Sequence, residues 1–185
     1  MLDGPFWPLG AGDRQRVVAI AHGALAPGRD ATLAVYAYFV SSPDGRDRAY
    51  PFTIVLCDVT ESAAALPWLE CRSREAELLG GRPLEADRGL EAARLESEFF
   101  EQRFLLLAGP GTDPVAVAQL FAPSFLHWFA YEAPFGFSLQ LVGGRLCASV
   151  PGEPERLGPL GSFWDSVARI VEALVREGRE DERLA

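Results

Sequence analysis

The residues of this 185-residue chain with chemistry to offer are few: two histidines, three cysteines and a scatter of clustered carboxylates. Histidine titrates near neutrality and is the usual general base. His22 lies in a strand-type run just before Gly23, and His127 sits beside Trp128 in an aromatic helical stretch. No spacing ties either one to a nucleophile or a carboxylate. Both read as buried or half-buried structural residues and stand only as weak catalytic candidates. Glu96, Glu98 and Glu101 fall in a charged segment whose spacing describes a solvated face rather than an acid/base pair. Cys57, Cys71 and Cys147 are odd in number and lack CxxC spacing, which points to reduced, mostly buried thiols. A zinc site wants short ligand spacings such as HExxH, and none occurs, so no metal is assigned.

Nucleophile and phosphate motifs fare no better. GxSxG is absent; Gly158-Pro159-Leu160-Gly161-Ser162 places its serine wrongly and suits a helix cap. The turn Gly109–Pro114 (GPGTDP) opens a helix and could in principle offer N–H groups to an anion. It lacks the Walker lysine and GxGxxG spacing, so a plain strand-to-helix turn is expected. All 17 basic residues are arginine, which removes Schiff-base, P-loop and kinase-type lysine chemistry. No cofactor is expected.

Composition narrows the partners. Apolar residues make up 49% and charged residues 23%, the balance of a chain that folds around a core. The net charge of −9 opposes a phosphate backbone, so nucleic acid is not an expected partner. The opening MLDGPFWPLGAGD lacks the basic and apolar regions of a secretory signal. The longest apolar run, 31–40, is half the length of about 20 residues that a membrane span needs. A soluble, cytoplasmic chain is the expectation.

The elements that must position these residues follow from periodicity and punctuation. Residues 1–13 read as an N-terminal arm carrying Phe6 and Trp7. Strands are expected over 16–25, 32–40, 50–59 and 68–74, as a four-strand meander with Pro43-Asp44-Gly45 in one loop. Alternation in 32–40 leaves both faces apolar, as in a central strand. Residues 75–93 read as a long connection with at most short helical pieces, and with a candidate sub-boundary near 80–93. Ser97 caps a turn over 98–102, and a strand follows at 104–107. Asp113-Pro114 starts a helix, and Pro123 divides it from a second. Gly143-Gly144 joins the strands 138–142 and 145–150 in a hairpin. Ser162 begins a last helix with Phe163, Trp164, Val167, Ile170, Val171 and Leu174 on its apolar stripe and Gly178 as its stop. The fold class is α+β: a largely antiparallel sheet, made of the meander and the later hairpin, packed on two or three helices. One domain spans 14–178, and 179–185 is a frayed tail.

The stretch 94–133 holds the densest aromatic set. Rings at helical spacing belong to a core, yet an apolar groove for a partner has the same pattern. Phe125, Trp128 and Phe129 are therefore contact candidates, together with Trp7 and Trp68 beside Pro-rich turns. In Leu95-Glu96-Ser97, Phe100, Phe104, Asp113-Pro114, Ala122-Pro123 and the Gly143-Gly144 hairpin, the chain resembles an uncharacterised bacterial family of domains of unknown function. Members of that family are often attached to membrane helices; no such segment is read in this sequence. The resemblance spans most of 14–150 and implies no activity or catalytic residue. The expectation is a non-catalytic domain that binds an unknown protein partner or an apolar ligand. The alternatives are a hydrolase with a dispersed His/carboxylate site and an acidic, immunity-like inhibitor masking a basic partner.

Overall fold

A computed structural model describes residues 14–42, 45–60, 68–78, 89–153 and 160–184. The arm 1–13, with Trp7, lies outside them. The strands are β1 (Arg14–Ala26), β2 (Arg29–Ser41), β3 (Asp47–Asp58), β4 (Trp68–Ser73), β5 (Glu91–Ala92), β6 (Phe104–Ala108), β7 (Ser138–Val142) and β8 (Arg145–Pro151). The helices are α1 (Arg74–Leu78), α2 (Glu98–Arg103), α3 (Pro114–Leu120), α4 (Pro123–Tyr131) and α5 (Leu160–Leu184). The strands form one sheet in the order β1-β2-β3-β8-β7-β4-β6-β5, and every neighbouring pair is antiparallel. The class is α+β, as the sequence patterns imply.

The meander is shorter than expected. β1, β2 and β3 follow one another, but β4 lies between β7 and β6, and the β7–β8 hairpin fills the place beside β3. The reason is a long-range hydrogen bond. Val59 N donates to Gly144 O at 2.7 Å, so the chain leaving β3 is tied to the hairpin turn rather than folded back on β3. Gly143 and Gly144 have φ of 56° and 77°, the left-handed pair a two-residue turn demands. A Cβ at Gly144 would stand 2.5 Å from Thr60 Cα, so this turn requires glycine for space as well.

β2 is buried along both faces, although it lies second from an edge. On one face Leu33 joins the main core with Val55, Leu69, Leu139 and Leu146, under α2 to α5. On the other, Ala34, Tyr36 and Tyr38 join Phe52, Ile54 and Cys147 in a second cluster whose described members are all strand residues.

The helices begin where the expected signals stand. Ser97 Oγ accepts from Phe100 N at 3.4 Å, and Asp113 Oδ1 accepts from Val115 N at 2.9 Å with Pro114 at the first helical position. Pro123 opens α4 instead of kinking α3. Ser73 ends β4 and its Oγ accepts from Glu75 N at 3.1 Å, which starts the five-residue α1, a short helical piece at the start of the segment read as a connection. One pair of helix boundaries was missed. α5 starts at Leu160, not Ser162, and runs through Gly178 to Leu184, so the glycine does not stop it.

Phe129 is fully buried at the centre of the helix layer. Its ring meets those of Phe100, Phe104, Phe121, Phe125, Trp128 and Phe137 at centroid distances of 5.7, 5.1, 5.5, 5.0, 4.9 and 5.9 Å. Most of these contacts are edge-on or tilted, the arrangement aromatic quadrupoles favour. Below it, Arg103 donates to both carboxylate oxygens of Glu75, at 3.0 and 3.2 Å, and to the carbonyls of Phe129 and Ala130. That one guanidinium fastens α1 and α2 to the end of α4.

Candidate functional site

The far edge of the sheet is where geometry and free hydrogen-bonding groups coincide. β5 pairs with β6 as Glu91 opposite Ala108 and Ala92 opposite Leu107. Ala93 N donates to Leu106 O at 3.0 Å, which continues the ladder by one residue. In an antiparallel pair, alternate residues exchange hydrogen bonds with the partner strand. Since Ala93 points its N–H at β6, Ala92 and Arg94 point theirs away from the sheet, with their carbonyls. The order of strands places nothing beyond β5 among the described residues.

Beside this edge lies a cleft of about 430 Å³. One wall is the segment 91–95; the other is the turn Gly109–Thr112 with Pro114, Val117 and Ala118 of α3. Its lining is made of small side chains and backbone, with Leu95 and Val117 for apolar contact and Glu91 and Arg94 as its charges. Clefts of a few hundred Å³ are the size that holds small ligands or a few residues of peptide.

Trp68 builds the turn that closes the cleft. Its carbonyl accepts from Gly109 N at 2.9 Å and from Thr112 Oγ1 at 3.0 Å. A Cβ at Gly109 would fall 2.7 Å from Trp68 Cβ, so only glycine lets the turn lie this close to β4. Gly111, at φ 80°, reverses the chain. The indole of Trp68 is itself held: Nε1 donates to Glu70 Oε1 at 3.1 Å, while Arg72 Nε donates to Glu70 Oε2 at 2.8 Å. Glu70 is 3% exposed and Arg72 8%. They sit two residues apart on one face of a central strand, and the carboxylate shares its two oxygens between indole and guanidinium. Such a pair contributes little net stability, but removing one member leaves a charge in a place water does not reach.

The expected site residues disperse. His22 is exposed on β1, and its Nδ1 lies 3.0 Å from Thr32 Oγ1. His127 is exposed on α4, its ring 4.8 Å from that of Tyr131. Neither is the buried structural histidine expected: the apolar neighbours of His22 are on an outermost strand, and His127 lies on the outer side of an amphipathic helix. Among the described residues neither one bonds a carboxylate, and no group of three or more potential metal ligands occurs. Cys57, Cys71 and Cys147 are free and buried. Burial raises all three thiol pKa values, Cys147 to about 12 and Cys71 well above its usual value, which keeps them protonated and poor nucleophiles.

Of the aromatic candidates, Trp128 and Phe129 belong to the core and are not available to a partner. Phe125 is half-buried against them, stacked on Trp128 at 5.9 Å. Trp68 is half-buried and serves the cleft from behind. The exposed rings of the central stretch are others, Phe99 and Tyr131, whose centroids lie 5.6 Å apart. Reasoning from sequence passed over Glu91, Ala92 and Arg94, since a strand of two residues has no periodicity. The glycine turn was the one available signal, and it was weighed for anions alone.

No family model matches the chain, and no match was found among curated proteins or solved structures. No helix among the described residues is long and apolar enough to cross a membrane.

Proposed function

We propose that the chain is a non-catalytic binding domain, a cytoplasmic accessory factor that takes an extended segment of a partner protein into the cleft between β5 and α3. The observation that supports this is the outward edge of Ala92 and Arg94 running along a cleft of about 430 Å³. An incoming strand would bond their N–H and C=O groups and lay alternate side chains toward Val117 and Pro114, the mode of strand addition. Arg94 has no ion-pair partner among the described residues and favours an acidic residue opposite it; Glu91, on the other face of the edge, favours a neutral or basic one. The main chain then supplies affinity, and the charges supply register.

Panning a displayed library of random peptides on the whole chain tests this. Enriched peptides should read as extended segments with one recurrent acidic position. Ala92→Pro should abolish their capture, because it removes an outward donor while leaving the bonds to β6 in place. Ala118→Trp should do the same by filling the cleft, and Arg94→Glu should weaken capture about tenfold and shift the acidic preference. A library that yields no sequence, or capture indifferent to both Ala92→Pro and Ala118→Trp, sinks the proposal.

A second reading, an acidic protein that masks a basic partner, draws on the net charge of −9 and the exposed Phe99–Tyr131 pair flanked by Glu98 and Glu132. It requires capture of a basic protein that weakens steeply with salt and is lost in a Phe99→Ser, Tyr131→Ser double variant. Capture unaffected by either change removes it.

A further inference from the structure

The opposite edge of the sheet points to a different occupant. β1 is 13 residues long and outermost in the strand order among the described residues. Val17, Val18 and Ile20 are 40%, 55% and 54% exposed, and Ala21, His22 and Ala24 are exposed as well, so both faces of the strand meet solvent. Sheet edges are ordinarily blunted by brevity, proline, lysine or a covering element. β1 contains no proline and no lysine. Its register with β2 is irregular at Val18, between the pairs Val17–Tyr36 and Ala19–Val35, and again between Ala24 and Ala26. Both irregularities are off centre and leave Ala19–Ala24 in unbroken register with β2.

We infer that the β1 edges of two copies of this chain pair antiparallel about Ile20, joining their sheets across a two-fold axis. The edge offers backbone groups flanked by small and β-branched residues, which two identical strands satisfy reciprocally. Charge selects the arrangement. The charges on β1 are Arg14 and Arg16, both near its start, and Arg14 is paired with Asp47 of its own chain. In a parallel pair the arginines of the two copies would stack about 5 Å apart. In the antiparallel pair the two Arg16 side chains lie about 20 Å apart, beyond the screening length of roughly 8 Å. With the Val18 bulge counted, Arg16 comes opposite Gly23 of the second copy. There the Trp164 ring lies 4.0 Å from the point a Cβ would occupy, so the guanidinium meets an aromatic surface instead of another cation.

Sedimentation of the whole chain tests this directly. The expected mass is twice 20.1 kDa at about 100 µM, a concentration at which an interface of modest size remains associated. Ile20→Lys sets two ammonium groups against each other at the axis and should return the mass to that of one chain, with an unchanged circular dichroism spectrum. Should that variant misfold, Ile20→Cys decides: the native thiols are buried, and directly opposed strand positions are close enough for a disulfide, so mild oxidation should give a covalent dimer. Phe99→Ser, on the helix layer, should leave the dimer intact. A wild-type chain that sediments at 20.1 kDa overturns the inference, as does a dimer that Ile20→Lys leaves whole and Ile20→Cys does not cross-link.

Discussion

The two outer strands of this sheet solve the same problem in opposite ways. β5 is two residues long, and α3 and the Gly109–Thr112 turn stand beside it, so its free groups open into a walled cleft. β1 is 13 residues long, and along its first half the described side chains are exposed on both faces. A walled edge discriminates, because a segment that pairs with it must also fit the cleft and satisfy Arg94 and Glu91. An open edge discriminates only through backbone and charge placement, and a second copy meets both conditions. Backbone hydrogen bonding is common to the two; the surrounding side chains determine what each edge accepts.

That contrast gains force if the two edges fail independently. The largest effect is expected on the walled side. Glu70→Gln removes the carboxylate that balances buried Arg72 and holds the Trp68 indole, and it should cost about 3–5 kcal/mol in urea denaturation. The loss of peptide capture should exceed the loss of folded protein, since Trp68 carries the turn that closes the cleft. The fraction that stays folded should still sediment as the dimer, because β4 is five strands away from β1. Equal loss of capture and self-association in the folded fraction would show that the edges are coupled.

A smaller effect is expected in the wall of the cleft itself. Gly109→Ala places a methyl group 2.7 Å from Trp68 Cβ, neither end of which belongs to a flexible side chain. Overpacking of this kind costs about 1–3 kcal/mol. The turn should move outward rather than the strand inward, since β4 is held between β6 and β7. Peptide capture should fall with no change in dimer mass. Gly111→Ala, whose Cβ would meet nothing but whose φ is 80°, separates strain from crowding: it should reduce stability by about 1 kcal/mol and spare capture more.

The same two regions show what could be read from sequence. β1 to β3, the capped starts of α2 and α3, the Pro123 break and the Gly143-Gly144 hairpin all rest on local chemistry, a turn residue or a period, and local chemistry is written in adjacent residues. The position of β4 is not local. It depends on Val59 bonding Gly144, 85 residues along the chain, and no pattern near β4 encodes that. β5 is too short to have a period, and its partner β6 lies beyond a helix. The candidate cleft was therefore invisible, although the glycine turn that walls it stood out. The histidines misled for a related reason: apolar neighbours in sequence imply burial only where another strand or helix packs on that face.

The smallest effect is nil at neutral pH and appears only in alkali. Tyr36 and Tyr38 lie on β2, next to the open edge, and their phenol pKa values are raised from 10.0 to about 12. Desolvation is the main cause, and a neighbouring tyrosine adds to it: Tyr38 beside Tyr36, Tyr50 beside Tyr38. A folded pKa above the unfolded one means that the unfolded chain gives up its protons first. The stabilisation is complete below pH 10 and is lost as pH rises toward 12. Tyr36 adds a further weakness, since its hydroxyl is buried with no hydrogen-bond partner. Replacing it with phenylalanine should therefore stabilise the chain slightly at neutral pH and more clearly above pH 10. The measurement is a urea midpoint taken across the alkaline range, alongside tyrosinate absorbance. Dimer mass should fall with the onset of tyrosinate while capture of a selected peptide at the walled edge persists. If peptide capture is lost first, alkali attacks the walled edge before the open one, and the contrast between them is misdrawn.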